Sequence, residues 1–166
     1  MNFIAPPEKL SKLHFRHPAT WVATFGGTGL LRPAPGTWGT IAALPFGIFL
    51  LMGLGIPGLL LAVALFFPLG LWASKHFEGM VNEKDSSLIV VDEAVGIWIA
   101  MIPALLTPLS IGLAFLLFRF FDVIKPWPIN YFDKHFKGPM GVMIDDVIAG
   151  IMAAFVLIGL RYVGIG

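Results

Sequence analysis

Adjacent carboxylates occur twice in this chain, each time at the edge of a charge-free run. Asp92 and Glu93 lie in "VVDEAVGIW" (90–98), and Asp145 and Asp146 lie in "GVMIDDVIAGI" (141–151). A fifth carboxylate, Asp122, sits in "FRFFDVIKPWPI" (118–129), with Arg119 three residues before it and Lys125 three after. That spacing keeps the three side chains near one stripe of a helix. Carboxylates brought together away from water repel one another unless they share protons or have cations beside them. An all-oxygen ligand set suits a hard divalent cation, and such a cation next to basic side chains is a setting for chemistry on a phosphate.

A second candidate lies upstream, in "LRPAPGTWGTIAALP" (31–45). It combines Arg32 with glycines at 36 and 39 and hydroxyls at Thr37 and Thr40 where an apolar run begins. Backbone N–H groups at a helix start receive phosphate, and a guanidinium adds a bidentate contact. The Gly-Lys-Ser/Thr of a nucleotide-binding loop is absent, so nucleotides are not indicated.

Each segment also has a plain structural reading. Arg119, Asp122 and Lys125 suit an ion pair with a snorkelling lysine. Adjacent aspartates suit the first turns of a helix, where the dipole favours negative charge. The Gly/Pro-rich stretch suits the start of a membrane span. Histidines 14, 17, 76 and 135 fall in polar segments, and His135 is the one nearest the candidate chemistry. With no cysteine in the chain, disulfides, thiolate metal sites and cysteine nucleophiles are excluded.

The elements that must hold these residues are apolar. Hydrophobic residues make up 57% of the 166 and charged residues 13%, with a mean hydropathy of +0.86. Soluble domains average about 45–50% and about 25%. Residues 33–74 contain no charged or histidine side chain, a run about twice the ~20 residues one membrane helix needs. "GLGIPG" (53–58) breaks it, so two spans joined by a short hairpin are expected. Polar loops are expected over 75–87 and 126–140, with two further spans around a turn at 102–110 and a fifth span from about Gly141 to Leu160.

The fold class expected is therefore all-α, a polytopic helical membrane bundle of about five transmembrane or re-entrant helices. It forms a single domain over 1–166, with 1–20 as a cytoplasmic interfacial segment. With the N-terminus inside, ten of the eleven Lys/Arg residues fall on the cytoplasmic half, Arg161 excepted, as do all ten acidic residues. At 1.5 Å per residue, Glu93 and Asp122 lie about 18 and about 25 Å from the outer turn, and Asp146 about 22 Å from Arg161. Three helices thus carry carboxylates to one layer near the cytoplasmic edge of the hydrocarbon. The near-neutral charge balance gives no sign of nucleic-acid binding.

"APGTWGT…AALP", "IVVDEAVGIW", "FRFFDVIKPWPI" and "GVMIDDVIAG" stand in the order and spacing of the bacterial phosphatidylglycerophosphatase A family, which the chain resembles over roughly residues 20–155. The resemblance implies a Mg²⁺-dependent, multi-pass inner-membrane enzyme. It would remove the terminal phosphate of phosphatidylglycerophosphate, giving phosphatidylglycerol. The family's functional positions carry over to Arg32, Pro35, Gly36, Thr37 and Gly39, to Asp92 and Glu93, to Arg119, Asp122 and Lys125, and to Asp145 and Asp146. Two departures are visible. Val91 replaces a common tryptophan, and "FKGPMG" replaces a "VHGGMG"-like loop, which removes a general role for histidine at position 137.

The expected site has Glu93, Asp122 and one aspartate of the 145/146 pair, Asp146, holding Mg²⁺. Asp92 and the other aspartate act as further ligands or base, and Arg32, Gly36, Thr37, Arg119 and Lys125 receive the phosphate. The rival reading is a small ion- or proton-coupled transporter, because intramembrane carboxylates also mark such pathways. Topology is directly testable in a chain without cysteine. An Asp85→Cys variant is expected to react with a membrane-impermeant thiol reagent from the cytoplasmic face, and labelling from the opposite face alone would reverse the orientation.

Overall fold

The computed structural model describes residues 3–165, so Met1, Asn2 and Gly166 lie outside it, the first two being part of the expected interfacial segment. The described residues form seven α-helices in order: α1 (Pro7–Leu10), α2 (Pro18–Ala23), α3 (Pro35–Val81), α4 (Val91–Ala100), α5 (Pro108–Ile124), α6 (Ile129–His135) and α7 (Pro139–Tyr162). A 3₁₀ turn covers Thr28–Leu30. The described residues contain one isolated bridge, Ile4 with Leu31, and no strand ladder. Among the described residues two helices, α3 and α7, are long and apolar enough to cross a membrane.

The charge-free run forms most of α3, which is interrupted at Gly55. Its φ of 63° and ψ of −156° are a conformation that a residue without Cβ adopts readily. Phe25 packs on both Phe46 and Phe66, with ring centroids 5.7 and 6.4 Å away. Trp98 meets Phe66 at 5.0 Å and donates its indole N–H to the Ala43 carbonyl at 3.0 Å. In one straight helix Phe46 and Phe66 would stand about 30 Å apart. The chain therefore doubles back at Gly55, within the segment expected to turn, and α3 is a hairpin with arms 35–54 and 56–81.

Its buried positions are mostly small: Gly39, Thr40, Ala43 and Gly47 on the first arm, and Ala62, Gly70, Ala73 and Ser74 on the second. Large apolar side chains such as Phe49 and Met52 point outward, as do Phe155 on α7 and Leu116 on α5. Small residues inside and bulky ones outside is the arrangement of helices that meet by close packing in lipid.

Three expectations need correction. The polar loop expected over 75–87 is shorter, because α3 continues to Val81. Phe77 and Val81, four apart, bury one face there while Lys75, His76 and Gly79 remain exposed. The segment 126–140 is no plain loop, since it contains α6. The span expected to begin near residue 90 is only α4, whose ten residues rise about 15 Å, half the hydrocarbon thickness. All of α4 except Asp92 is buried. It is a core helix wrapped by α3, α5 and α7, so protein rather than lipid surrounds its polar end.

Glycines set how closely these helices approach. A Cβ on Gly150 of α7 would overlap the Gly96 carbonyl of α4, and one on Gly96 would overlap Phe118 and the Asp146 carbonyl at 2.9 Å. On α3, a Cβ on Gly39 would lie 2.6 Å from that of Val90. Backbone cannot yield as a side chain does, so Gly150→Ala is expected to destabilise by about 1–3 kcal/mol. Gly112→Ala on α5, where a Cβ meets nothing within 4 Å, is expected to be neutral or to stabilise by about 0.5 kcal/mol. Thermal unfolding of the two detergent-solubilised variants checks the contrast.

Candidate active site

Four helix ends converge on the acidic residues. Asp92 and Glu93 occupy the first turn of α4, where unpaired backbone N–H groups favour negative charge. Asp122 lies in the last turn of α5, and Asp145 and Asp146 lie two turns into α7. The first turn of α3 closes the group from the side. A Cβ on Gly36 would overlap the Glu93 carboxylate and come within 3.3 Å of the Arg119 guanidinium.

Glu93, Asp122 and Asp146 each offer an oxygen within 4.8 Å of the others. Arg119 pairs with Glu93 and with Asp122, the latter at 2.7 Å. The Thr40 hydroxyl lies 3.1 Å from Glu93 Oε2 and 2.8 Å from the Gly36 carbonyl oxygen. One proton cannot serve both acceptors fully, so Thr40 steers the carboxylate without neutralising it. Two buried carboxylate oxygens, Asp92 Oδ1 and Asp146 Oδ2, have no hydrogen-bond partner.

The adjacent aspartates divide. Asp146 turns to Glu93 and Asp122, whereas Asp145 pairs with Lys125. Lys125 also donates to Asp133 Oδ1 at 2.9 Å. Burial opposes its charge, but the hydrogen bonds and fields of Asp145 and Asp133 outweigh burial and raise the ammonium's pKa. The hydrogen bond from Lys125 in turn lowers the pKa of Asp133.

Lys125 caps α5 in the left-handed region, at φ 46° and ψ 57°, which costs a residue with a Cβ roughly 1–2 kcal/mol. Glycine would end the helix more cheaply. The lysine is explained by where its side chain goes. The first turn of α4, the ends of α5 and α6 and the start of α7 enclose a pocket of about 210 Å³, lined by all five expected carboxylates with Lys125, Asp133, Ser86 and Lys137.

The basic and hydroxyl residues expected to receive phosphate are divided differently. Lys125 lines the pocket and Gly36 abuts Glu93, but Arg32 and Thr37 are not among the lining residues. Arg32 is exposed and its backbone N–H bonds the Phe3 carbonyl. Arg119 faces Glu93 and Asp122, as a counter-ion to carboxylates. His135 is exposed and bonds the Tyr131 carbonyl within its own helix, at 2.7 Å.

One participant, Asp133, had no visible signal in the sequence, because its pairing with Lys125 depends on the turn between α5 and α6. Thr40 was legible as a hydroxyl at the start of the apolar run, on the same helical face as Gly36, but its contact with Glu93 depends on α4.

Residues 21–161 match the family described as Phosphatidylglycerophosphatase A. The chain is 41% identical over 155 residues to Phosphatidylglycerophosphatase A of Haemophilus influenzae, an alignment covering 92% of this chain and 94% of that one. It is 34% identical over 148 residues to the protein of the same name from Escherichia coli, covering 89% and 86%. It is also 38% identical over 152 residues to a Bacteroides thetaiotaomicron protein provisionally named a phosphatidylinositol-3-phosphatase, covering 86% and 92%. No solved structure matches the chain. The family match and two relatives of that name over most of the length establish that this chain belongs to the phosphatidylglycerophosphatase A family.

Proposed function

We propose that this membrane protein is a lipid phosphatase that hydrolyses the terminal phosphate of phosphatidylglycerophosphate, yielding phosphatidylglycerol in phospholipid synthesis. Family membership supports the activity. The observation that carries the site is the convergence of Glu93, Asp122 and Asp146 within 4.8 Å, beside two buried oxygens without partners.

The donor set fits Mg²⁺. It consists wholly of carboxylate oxygen, which a hard cation prefers, and each close carboxylate pair costs about 3–4 kcal/mol of repulsion at an effective dielectric of 20. Arg119 offsets only part of that. Glu93, Asp122 and Asp146 would hold the ion, which when bound polarises a phosphoryl oxygen and acidifies water. Arg119 keeps Glu93 and Asp122 together. Lys125, released from Asp145 or Asp133, meets the phosphoryl oxygens where charge builds up. Asp92, with a free buried oxygen, or Asp145, once free of Lys125, would take the proton of the attacking water.

The finer membrane reading is part of the same proposal. Both α3 arms, α5 and α7 cross or nearly cross the bilayer, α4 is re-entrant, and the pocket opens at the cytoplasmic edge. Charge distribution supports that side. A lipid phosphomonoester then presents its head group at the depth of the carboxylates without leaving the leaflet.

Phosphate release from phosphatidylglycerophosphate in mixed micelles, with Mg²⁺ and then with EDTA, tests the reading. Metal-dependent release is expected, and folded protein that releases nothing overturns it. Phosphatidylinositol-3-phosphate in parallel tests which phosphomonoester is preferred. Asp146→Asn is expected to lower kcat/KM by about 10²-fold or more, while the metal-free variant melts no lower than the parent because a repulsive charge is gone. Thr40→Val is expected to cost about 10–100-fold through a misaligned Glu93, with Thr40→Ser restoring most of it.

A further inference from the structure

A second cavity, unconnected with the chemistry so far described, opens between the two arms of α3. Its volume is about 740 Å³, within the range of ligand sites. α2 and the following turn close its cytoplasmic end through Trp21, Phe25 and Thr28. The stripe Ala42, Phe46, Phe49 forms one wall, Leu65 of the second arm faces it, and Trp98 of α4 forms the floor. Nearly every lining side chain is apolar. Phe46, Phe49 and Leu65 are 58, 75 and 58% exposed, so this groove is open sideways rather than sealed.

From Ala42 to Leu54 the wall runs about 18 Å along its helix, close to the ~15 Å depth of one leaflet's hydrocarbon. Its depth relative to the carboxylates, measured along α4, follows from two contacts. Thr40 meets Glu93, and one turn deeper Ala43 accepts from Trp98. The groove floor at Trp98 therefore begins five residues, or about 7.5 Å, beyond Glu93 on the same short helix. A head group at the carboxylates and a tail in the groove would be stacked in the order a phospholipid presents them.

We propose that the α3 hairpin groove is an acyl-chain site, holding one tail of the phospholipid substrate while its head group occupies the carboxylate pocket. This rests on the phosphatase reading above. Because a tail leaves surroundings as apolar as the groove, burial gives little affinity. The gain is positional: a tail held against Trp98 limits how the head group approaches Glu93, and so contributes to rate. A head group without tails gains nothing from it.

Two groove-filling variants, Ala42→Phe and Leu65→Trp, are compared with Leu69→Trp, an exposed position outside the groove. Each is assayed with long-chain and with dihexanoyl phosphatidylglycerophosphate in the same detergent. The groove variants are expected to lose about tenfold in kcat/KM for the long-chain lipid and less than about twofold for the short one, with Leu69→Trp unchanged on both. Equal effects on the two lipids, or the same loss in Leu69→Trp, overturn the acyl-chain site.

A phospholipid carrying a diazirine at its tail end supplies a readout independent of turnover. Crosslinks at Phe49 or Leu65, competed by long-chain phosphatidylglycerophosphate, are expected; crosslinks spread evenly over the outer faces of α5 and α7 overturn the site. If the parent protein releases no phosphate from either lipid, the phosphatase reading fails first, whereas release with no dependence on chain length or groove filling removes the groove alone.

Discussion

The carboxylates of three helices must sit within a few ångströms of one another at the polar end of a largely apolar bundle. Like charges at that range oppose folding, and a low-dielectric surrounding makes the opposition stronger. The rest of the architecture holds them there regardless. Gly96 and Gly150 bring the backbones of α4 and α7 close enough that Asp146 and Glu93 face each other. Gly36 lets the start of α3 lie against the same carboxylate. Arg119 and Lys125 supply the only two cations paired with the cluster among the described residues. Close packing of small residues therefore provides what electrostatics withholds, and the remaining imbalance is what a divalent cation would relieve.

Much of this was legible in the sequence, and the reasons differ by element. Charge-free length and Gly/Pro punctuation gave the hairpin of α3, because a run twice the length of a span must turn and Gly55 lies where the turn signal falls. The five carboxylates were legible because charge in apolar company is costly unless used. The length of α4 was not legible. A ten-residue buried helix and the inner half of a membrane span have the same composition, and only its partners on every side distinguish them. The role of Arg119 was also hidden. Spacing places a guanidinium beside Asp122, but whether it turns to phosphate or to a second carboxylate depends on Glu93 arriving from another helix.

The segment "APGTWGT" has a packing part beside the one its composition suggests. Glycines and hydroxyls at a helix start suit a phosphate cradle. Here Gly36 removes a side chain so that Glu93 and Arg119 can close in, and Thr40 orients Glu93. Both uses ask for the same residue types at the same spacing. Only the side of the helix that meets α4 separates them, and that is a tertiary fact.

Adjacent aspartates give the clearest case of one backbone serving two ends. Successive side chains on a helix diverge by about 100°, so no common partner can take both Asp145 and Asp146 in full. The divergence becomes useful when α7 lies between two other helix ends. Asp146 then meets the acids of α4 and α5, while Asp145 meets the lysine that caps α5. One residue joins the acidic group and its neighbour holds a lysine. Moving either by a single position would rotate it out of its group, and the left-handed backbone at Lys125 aims the ammonium at Asp145, the member of the pair that does not join Glu93 and Asp122.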